Sequence, residues 1–285
     1  MQPGTPPLVN QLIDMALEED LGRGDITCRL TVPEDAHSQG HLIAKQALVV
    51  SGIHVFAAVM RRVDPATRIH IEIGDGQSAR PGALIARTDG RTASLLMAER
   101  VALNFLQRLS GTATLTRELV DALPPDATTR LVDTRKTTPG MRWLEREAVR
   151  HGGGHNHRVD LSGGVLIKEN HAAAAGGVGR AIALCRQNAP HLLRIEAEVR
   201  NAAEFDEALL AGADCIMLDN MSPEQMAECV KKANKRVILE ASGGVSRQTV
   251  ADIAATGVDI ISVGAITHSA PGADISFIID GVTPV

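Results

Sequence analysis

Apolar and polar positions follow two different patterns along the chain. After the prolines at 124 and 125, short apolar runs alternate with stretches of helical periodicity. The runs that we predict to be strands lie at 130–132, 165–167, 192–195, 215–218, 237–239 and 260–263. Strands that alternate with helices at this spacing favour a parallel sheet that is closed, or nearly closed, into a barrel. A doubly wound open sheet is the alternative.

Capping residues place the helices between these strands. Asn201 is a predicted N-cap, with Glu204 three residues later, and Ser222 precedes a proline at the start of the next helix. A further helix is predicted to begin at Ser246 and to end at Gly257. The second half of the chain therefore follows one repeating strand and helix pattern.

The first half has a different organisation. A helix is predicted over 8–21, where apolar residues recur at helical spacing before Gly22. Short β-like runs at 42–53, 69–73 and 83–87 predict a small, largely antiparallel sheet. A long helix over 92–123, with a break near Ser110 and Gly111, is predicted to connect this sheet to the second half.

The residues that follow the predicted barrel strands carry candidate chemistry, because a βα barrel builds its active site at the carboxyl ends of its strands. These ends read Asp133-Thr134-Arg135-Lys136, Lys168-Glu169-Asn170-His171, Glu196-Ala197-Glu198, Asp219-Asn220, Ala241-Ser242-Gly243-Gly244 and Gly264-Ala265. One such charge is ordinarily a solvated side chain or a helix cap. Six ends of this kind at one rim favour a functional site for anions.

Glycine and histidine segments refine this expectation. Ser242-Gly243-Gly244 and Gly264-Ala265 follow the last two strands, where bare backbone N–H groups often bind phosphate. The three glycines at 152–154 predict a loop that approaches a ligand closely. His155 and His157 resemble a metal pair, but no third ligand follows at metal-like spacing, so we do not expect a His-bound transition metal.

Composition narrows the class of protein. A formal net charge of -5, 2% aromatic residues and the absence of tyrosine argue against a nucleic-acid-binding surface. The four cysteines show no Cys-x-x-Cys spacing and are expected to be free thiols in a reducing compartment. No signal-peptide pattern and no apolar run of about 20 residues is present, which predicts a soluble, cytoplasmic protein with no membrane partner.

Several ordered motifs resemble those of the quinolinate phosphoribosyltransferases, a family also called carboxylating nicotinate-nucleotide pyrophosphorylases. The similarity runs from about Glu19 nearly to the C-terminus. Its motifs are Met97-Ala98-Glu99-Arg100, Asp133-Thr134-Arg135-Lys136-Thr137, Gly152-Gly153-Gly154, Asn156-His157-Arg158, Leu166-Ile167-Lys168-Glu169-Asn170-His171, Leu218-Asp219-Asn220 and Ser262-Val263-Gly264-Ala265. Their number and order make the resemblance specific.

The resemblance implies an α/β fold in which an N-terminal α/β sandwich precedes an incomplete (β/α) barrel. We expect the sandwich at 1–112, with 270–285 returning to it, and the barrel at 113–269. The implied reaction transfers phosphoribosyl from phosphoribosyl pyrophosphate to quinolinate, giving nicotinate mononucleotide, pyrophosphate and carbon dioxide in de novo NAD biosynthesis. It implies Mg²⁺ as cofactor and a homodimer, or a larger homo-oligomer, with shared active sites.

The resemblance also implies residue roles. Quinolinate carboxylates would contact Arg135, Arg158 and Lys168, and Arg100 would enter the site of a partner subunit. Catalytic roles would fall to Lys136, Lys168, Glu198 and Asp219, and Mg²⁺ to Glu198 and Asp219. The implied substrate-binding residues are Arg100, Thr134, Arg135, Lys136, His157, Arg158, Lys168, Glu198, Asp219, Ser242, Gly243, Gly244, Val263, Gly264 and Ala265.

Two positions depart from the family pattern, and two alternatives stay open. Glu147 and Asp160 stand where the family often has other residues, and Asp160 either weakens the positive field near Arg158 or faces away. Glu196 and Glu198 point to the same face of a strand, and we choose Glu198 because it is nearer the mouth. A related enzyme for nicotinate or a transport-linked role, and a non-catalytic anion sensor, are the competing hypotheses.

Overall fold

A computed structural model describes residues 6–280 and divides them into two compact units. Unit 1 comprises residues 6–117, 137–153 and 266–280, and unit 2 comprises 118–136 and 154–265. Within residues 6–280, we find no helix that combines the length and the apolar character needed to cross a membrane.

The described residues form both helices and strands. The helices are α1 Pro7–Leu21, α2 Ile26–Thr31, α3 Ile53–Val63, α4 Thr92–Asp121, α5 Arg142–His151, α6 Glu169–Ala175, α7 Val178–Asn188, α8 Ala202–Leu210, α9 Pro223–Ala233, α10 Val250–Ala255 and α11 Ala265–His268. The strands are β1 His37–Ala44, β2 Leu48–Val49, β3 Arg68–Ile71, β4 Ser78–Ala79, β5 Leu84–Arg91, β6 Arg130–Val132, β7 Val165–Ile167, β8 Ile195–Val199, β9 Cys215–Asp219, β10 Ile238–Ser242, β11 Ile260–Ser262 and β12 Ile275–Ile279.

Unit 1 is built on an antiparallel sheet with the strand order β12-β1-β5-β3, next to the small pair β2-β4. Helices α3 and α4 bury apolar side chains in its core, including Phe56, Leu95 and Leu106, each of which is fully buried. Strand β12, near the end of the described chain, pairs with β1, near its beginning. The core therefore needs chain segments that are far apart in sequence.

Residues 137–153 belong to unit 1, although we expected 113–269 to form the barrel unit. The reason is the apolar face of α5, where Leu144 and Ala148 are buried in the core cluster of unit 1. The long helix α4 also runs past the expected limit at 112 and reaches Asp121. Residues 118–121 of this helix belong to unit 2.

The predicted break at Ser110 and Gly111 is wrong, because α4 continues through both residues. The Ser110 hydroxyl accepts a hydrogen bond from the backbone N–H of Ser51 at 3.0 Å, so this polar residue is satisfied inside the helix. At Gly111, an added Cβ would lie 1.9 Å from the carbonyl oxygen of Pro271. The glycine allows another backbone segment of unit 1 to approach the helix.

The antiparallel sheet is confirmed, but its predicted segments are only partly correct. The run at 42–53 is divided between β1, β2 and the start of α3, a helix that the sequence reading missed. Ile53 begins that helix, and its backbone N–H donates to Asp75 Oδ1 at 3.0 Å. A run of apolar residues did not reveal this change from strand to helix.

Unit 2 contains a six-stranded parallel sheet with the order β6-β11-β10-β9-β8-β7. The first strand lies beside the last, which is the cyclic order of a barrel, and the ladder is open between β6 and β7. At this opening, His155 forms a single parallel bridge with Val132 of β6. The incomplete (β/α) barrel is confirmed, and the doubly wound alternative is wrong.

Local signals in unit 2 vary in accuracy. The caps at Asn201 and Ser222 are confirmed, since each side chain accepts a hydrogen bond from the backbone N–H three residues later. The strand expected at 192–195 begins only at Ile195 and continues to Val199, while Leu192 is 84% exposed. The helix expected from Ser246 begins at Val250, because Ser246 and Thr249 first form a hydrogen-bonded turn.

Candidate active site

A cavity of about 820 Å³ lies at the carboxyl ends of the barrel strands. Its lining residues are Thr134, Arg135, Lys136, His157, Arg158, Leu166, Lys168, Glu198, Met217, Asp219, Glu240, Ser242 and Ser262. The structure thus brings together side chains from all six strands or from the segments that follow them.

Strand register explains how the polar residues converge. Glu198 of β8 and Glu240 of β10 both pair in register with Met217 of β9. On the other side, Ser242 of β10 pairs with Ser262 of β11. Neighbouring residues in register point to the same face of a sheet, so this row lies on the interior of the barrel.

Four cations line the cavity, and they come from three chain segments: Arg135, Lys136, Arg158 and Lys168. Thr134 organises the first segment, since its hydroxyl accepts a hydrogen bond from the N–H of Lys136 at 3.1 Å. The Arg158 guanidinium donates to the carbonyl of Gly164 at 2.8 Å. Burial and the positive charge of Arg135 lower the pKa of Arg158, which indicates cations held close together.

Three carboxyl groups line the same cavity, and two of them, Glu198 and Asp219, follow the pattern that the sequence predicted. Glu198 Oε2 lies 3.5 Å from Lys168 Nζ, and Asp219 Oδ2 accepts a hydrogen bond from the side chain of Asn220 at 2.9 Å. Asn220 has a φ of 54°, a left-handed conformation that Asn tolerates better than most residues. The chain therefore turns directly after Asp219, and the side chain of the next residue, Asn220, orients the Asp219 carboxylate.

Asp133, the first residue of the predicted Asp-Thr-Arg-Lys cluster, has a structural position. It is fully buried and accepts hydrogen bonds from the side chain of Asn156 and from the backbone N–H of His157, both at 2.7 Å. This carboxylate fastens the segment that carries His157 and Arg158 to the end of β6. That segment stands where the sheet ladder is open.

His157 lies between two buried carboxyl groups. Its Nε2 is 3.2 Å from Glu196 Oε2 and 3.4 Å from Glu240 Oε2. Burial alone lowers the pKa of His157, but hydrogen bonds to Glu196 and Glu240 raise it to about 10. Burial also raises the pKa of Glu240.

The hydrogen bonds around the ring locate its proton. Nδ1 accepts the backbone N–H of Arg158 at 2.7 Å, so we assign the ring proton to Nε2, which faces the two carboxyl groups. The raised pKa of His157 has its cause in the two carboxyl groups beside Nε2, and the acceptor role of Nδ1 belongs to the neutral ring. The sequence spacing concealed these neighbours, although their side-chain atoms lie within 4.8 Å of one another, close enough to share a metal ion.

The two glutamates that the sequence could not separate have different surroundings. Glu198 lines the cavity, whereas Glu196 lies deeper, where its Oε1 also accepts a hydrogen bond from the Cys215 thiol at 3.4 Å. Burial raises the pKa of Cys215, which keeps it a thiol. This cysteine is free, as are Cys28, Cys185 and Cys229, in agreement with the sequence reading.

The glycine segments lie next to the cavity. Gly243 and Gly244, with φ values of 94° and 61°, form a turn directly after Ser242, which lines the cavity. Val263 is buried, and its N–H donates to Val132 O at 3.0 Å. Gly264 and Ala265 follow β11 and do not line the cavity.

The structure gives the first two of the glycines at 152–154 a packing role. Both belong to unit 1, where Gly152 packs against α4: an added Cβ there would lie 2.5 Å from Ala113 O. Gly153 has a φ of 89° and faces the side chain of Arg117. These two glycines serve packing within unit 1.

The remaining candidates also have definite positions. Arg100 is exposed on α4 in unit 1. Asp160 is exposed and accepts two hydrogen bonds from Ser162, although its charge still raises the pKa of Arg158 slightly against the larger effect of burial. Glu147 forms an ion pair with Arg150 in unit 1.

Sequence reasoning missed four lining residues: Leu166, Met217, Glu240 and Ser262. One signal was available for Glu240, which lies two residues before Ser242 and so shares its face of β10. The other three lie inside apolar runs, where pattern alone gives no reason to separate pocket from core.

Comparisons with known proteins agree with this geometry. Residues 112–278 match the C-terminal domain of quinolinate phosphoribosyl transferase, and residues 25–110 match its N-terminal domain. A probable carboxylating nicotinate-nucleotide pyrophosphorylase from Synechocystis is 41% identical and covers 95% of this chain and 93% of its own. A mitochondrial decarboxylating quinolinate phosphoribosyltransferase from Nicotiana tabacum is 39% identical over 94% of this chain and 81% of its own.

Solved structures give the same result. The nicotinate-nucleotide pyrophosphorylase from Francisella tularensis superposes with a TM-score of 0.92 at 39% identity, covering 98% of this chain and 99% of its own. The enzyme from Ehrlichia chaffeensis gives 0.91 at 36% identity, covering 95% and 98%. The chain therefore belongs to the quinolinate phosphoribosyltransferase family, the decarboxylating phosphoribosyltransferases of NAD biosynthesis.

Proposed function

We propose that the cavity of unit 2 binds quinolinate and phosphoribosyl pyrophosphate and joins them into nicotinate mononucleotide. The observation that carries this proposal is the gathering of four cations in one cavity together with the carboxylates of Glu198 and Asp219. Both substrates are multiply charged anions, and clustered Arg and Lys side chains are the usual means of binding such groups in proteins.

Arg135, Arg158 and Lys168 bind the two carboxylates of quinolinate. The arginines offer planar donor groups that match a carboxylate bidentately, whereas the lysine acts as a point charge. Burial and the neighbouring Arg135 lower the pKa of Arg158, and the entry of a dianion relieves this crowding of like charges. Three cations suit a dicarboxylate better than nicotinate, which has a single carboxylate.

Lys136 and Lys168 contact the phosphate and pyrophosphate oxygens of the second substrate. Glu198 and Asp219 accept hydrogen bonds from the ribose hydroxyls. The turn at Ser242-Gly243-Gly244 offers backbone N–H groups to the 5′-phosphate in this proposal, and Gly264-Ala265 border the same phosphate, whereas the N–H of Val263 donates to Val132 O. Gly243 has a φ of 94° and packs against Asn220, so a side chain here would strain the turn and displace the residue that orients Asp219.

Mg²⁺ is the cofactor of this proposal, and the donors present suit it. Glu198 and Asp219 provide carboxylate oxygens in the cavity, and a hard cation prefers oxygen ligands shared between protein and phosphates. When bound, Mg²⁺ stabilises the negative charge of the departing pyrophosphate.

The reaction then follows from the charges of the site. The ring nitrogen of quinolinate attacks the anomeric carbon of the ribose as the bond from that carbon to pyrophosphate breaks. Glu198 and Asp219 stabilise the positive charge that develops on the ribose. In the resulting quinolinate mononucleotide, the bond from ring carbon 2 to its carboxylate breaks, the electron pair stays on carbon 2 beside the positively charged ring nitrogen, and a proton then binds there in place of the lost carbon dioxide.

Arg100 completes the site of a partner subunit in this proposal, so the active protein is a homodimer or a larger homo-oligomer. The exposed position of Arg100 on α4 is compatible with such a role. A cytoplasmic location is also part of the proposal, and cell fractionation distinguishes it from the organellar locations in the names of some plant relatives.

An assay of carbon dioxide release tests the function. Purified protein with phosphoribosyl pyrophosphate, Mg²⁺ and quinolinate labelled in its 2-carboxylate should release labelled carbon dioxide. Reactions without phosphoribosyl pyrophosphate, or with a chelator, should release none. Absence of release from the complete mixture with folded protein would reject the enzymatic proposal and favour an anion sensor, whereas nucleotide formation from nicotinate would favour the related enzyme.

A further inference from the structure

Two buried carboxyl groups inside the barrel have no role in the reaction described above. Glu196 on β8 and Glu240 on β10 are 8% and 1% exposed. A carboxyl group that leaves water is costly to bury unless a donor or a cation compensates it. Among the described residues, Glu240 Oε1 has no hydrogen-bond partner. Burial raises the pKa of this carboxyl group and the Ser262 side chain lowers it, and the ionisable group nearest to this carboxyl group contacts Oε2.

The contact at Oε2 is with the ring of His157. Nε2 lies between the two carboxyl groups, at 3.2 Å from Glu196 and 3.4 Å from Glu240. The second ring nitrogen is also engaged within the protein, because Nδ1 accepts the N–H of Arg158 at 2.7 Å. His157 therefore lines the cavity with its ring while both nitrogens contact protein groups.

This arrangement changes the role that the sequence gave to His157. A ring with both nitrogens engaged in this way does not offer an N–H to a substrate carboxylate. It forms a rigid link between the barrel interior and the backbone at Arg158. The guanidinium of Arg158 lines the anion cavity. The orientation of the His157 ring therefore sets the direction in which the Arg158 side chain extends from the backbone into that cavity.

We propose that Glu240, together with Glu196, is a positioning residue that acts through His157 to hold Arg158 in the dicarboxylate site. The inference rests on the proposed function, since it concerns the binding of quinolinate. The carboxyl groups of Glu196 on β8 and Glu240 on β10 contact the ring, and Asp133 accepts a hydrogen bond from the backbone N–H of His157. Preorganisation of this kind lowers the cost of ordering a binding side chain.

The test uses Glu240→Leu, Glu240→Gln, His157→Asn and the double variant of Glu240→Leu with His157→Asn. Leu removes the acceptor, whereas Gln keeps an acceptor of similar shape. Asn at 157 retains an acceptor for the N–H of Arg158 but loses Nε2, and so disconnects Glu240. The kcat and the KM for each substrate are measured for every folded variant, with circular dichroism as the check of folding.

We expect Glu240→Leu to raise the KM for quinolinate about ten-fold or more and to change the KM for phosphoribosyl pyrophosphate less than about two-fold. Glu240→Gln should restore part of the loss. In the His157→Asn background, Glu240→Leu should add nothing, because residues that act as a unit are not additive. Asp206→Asn, which removes an exposed carboxylate paired with Lys232, is the control without effect.

Hydrogen exchange of the Arg158 amide provides a measurement that does not depend on catalysis. In the intact protein this amide should be protected by its hydrogen bond to His157, and in Glu240→Leu it should exchange faster. Three results would each overturn the proposal. They are unchanged exchange of the Arg158 amide, an unchanged KM for quinolinate in a folded variant, and a double variant in which the two effects on that KM multiply. If Glu240→Leu does not fold, Glu240→Gln and Glu196→Gln are measured instead. Each is expected to raise the KM for quinolinate by a smaller factor. An intact protein without activity on quinolinate would reject the proposed function, and the exchange measurement would still decide the role of Glu240.

Discussion

Replacement of Gly111 by alanine is a sharp test of the packing in unit 1. In most helix interiors this substitution stabilises the protein by about 1 kcal/mol, because alanine is the better helix former. Gly111 lies within α4, where the Cβ of alanine would be 1.9 Å from Pro271 O and 3.0 Å from its carbonyl carbon. A contact below about 3 Å is essentially forbidden, so one backbone segment has to move by roughly 1 Å.

The segment that would have to move is firmly attached. Ala273 donates its N–H to Gln107 O at 2.9 Å, and the Gln107 side chain donates to Ile275 O at 2.8 Å. A shift of this size weakens these bonds, each of which contributes about 0.5–1.5 kcal/mol, in addition to about 1–3 kcal/mol for overpacking. After the gain in helix propensity is subtracted, we expect a net loss of about 2 kcal/mol.

Trp143 makes the measurement specific. It is the one tryptophan of the sequence and lies on α5, packed against the core of unit 1, so its fluorescence reports on the unit that contains Gly111. Gly179→Ala in α7 is the matched control, followed by circular dichroism. There an added Cβ meets the flexible side chain of Glu207 at 3.0 Å instead of a backbone carbonyl. We expect a change below about 1 kcal/mol for the control.

The result that would refute this reasoning is a Gly111→Ala protein as stable as the original, or more stable. Urea denaturation followed by tryptophan fluorescence should instead show a lower midpoint with an unchanged slope. A changed slope would indicate an altered denatured state and would leave the packing argument unsupported.

Three further predictions concern the site and the barrel. Arg100→Ala and Lys168→Ala proteins, each inactive alone, should regain activity when reassembled together, because a mixed dimer keeps one complete site; inactive but verified heterodimers would contradict the shared site. Gly243→Ala should raise the KM for phosphoribosyl pyrophosphate without raising that for quinolinate, because the residue has a φ of 94°; steady-state kinetics with equal effects on both would contradict the phosphate assignment. The pKa of Asp214 is lowered because a backbone N–H and Arg186 donate to its carboxylate, which outweighs the opposing effect of burial. The stability that this carboxylate provides is therefore present above its ordinary pKa of 3.8 and is lost as the pH falls through its lower folded value. Urea titrations of Asp214→Asn and the original protein should accordingly differ at neutral pH and converge in acid, and a difference that persists in strong acid would contradict this reasoning.

The sequence predicted those parts of the fold in which a local signal and the tertiary structure agree. Asn201 and Ser222 satisfy backbone N–H groups beside them, so their effect is readable from neighbouring residues. Leu192 misled the strand prediction because it is apolar yet exposed, and a pattern of apolar residues carries no information on which of them are buried. Gly111 misled the helix prediction because the reason for a glycine there is a backbone segment 160 residues away in the sequence.

The candidate site shows the same division. Arg135, Lys168 and Asp219 follow their strands directly, so knowledge of the barrel was enough to place them at its mouth. Glu240 was missed because its function depends on His157, which comes from a different chain segment at the opening of the ladder. Sequence spacing expresses contacts along one strand or helix, whereas this cluster exists only between strands.

The pairing of β12 with β1 has a consequence for synthesis of the protein on the ribosome. Residues 118–265 contain all six strands of the parallel sheet, so every strand of this ladder leaves the ribosome before β12 does. Unit 1 begins first but lacks the edge strand beside β1 until residue 279 has left the ribosome. Strand β1 therefore emerges early with one edge unpaired, and an unpaired edge is a site for incorrect association. The order in which this chain is made is thus the reverse of the order in which its units are completed.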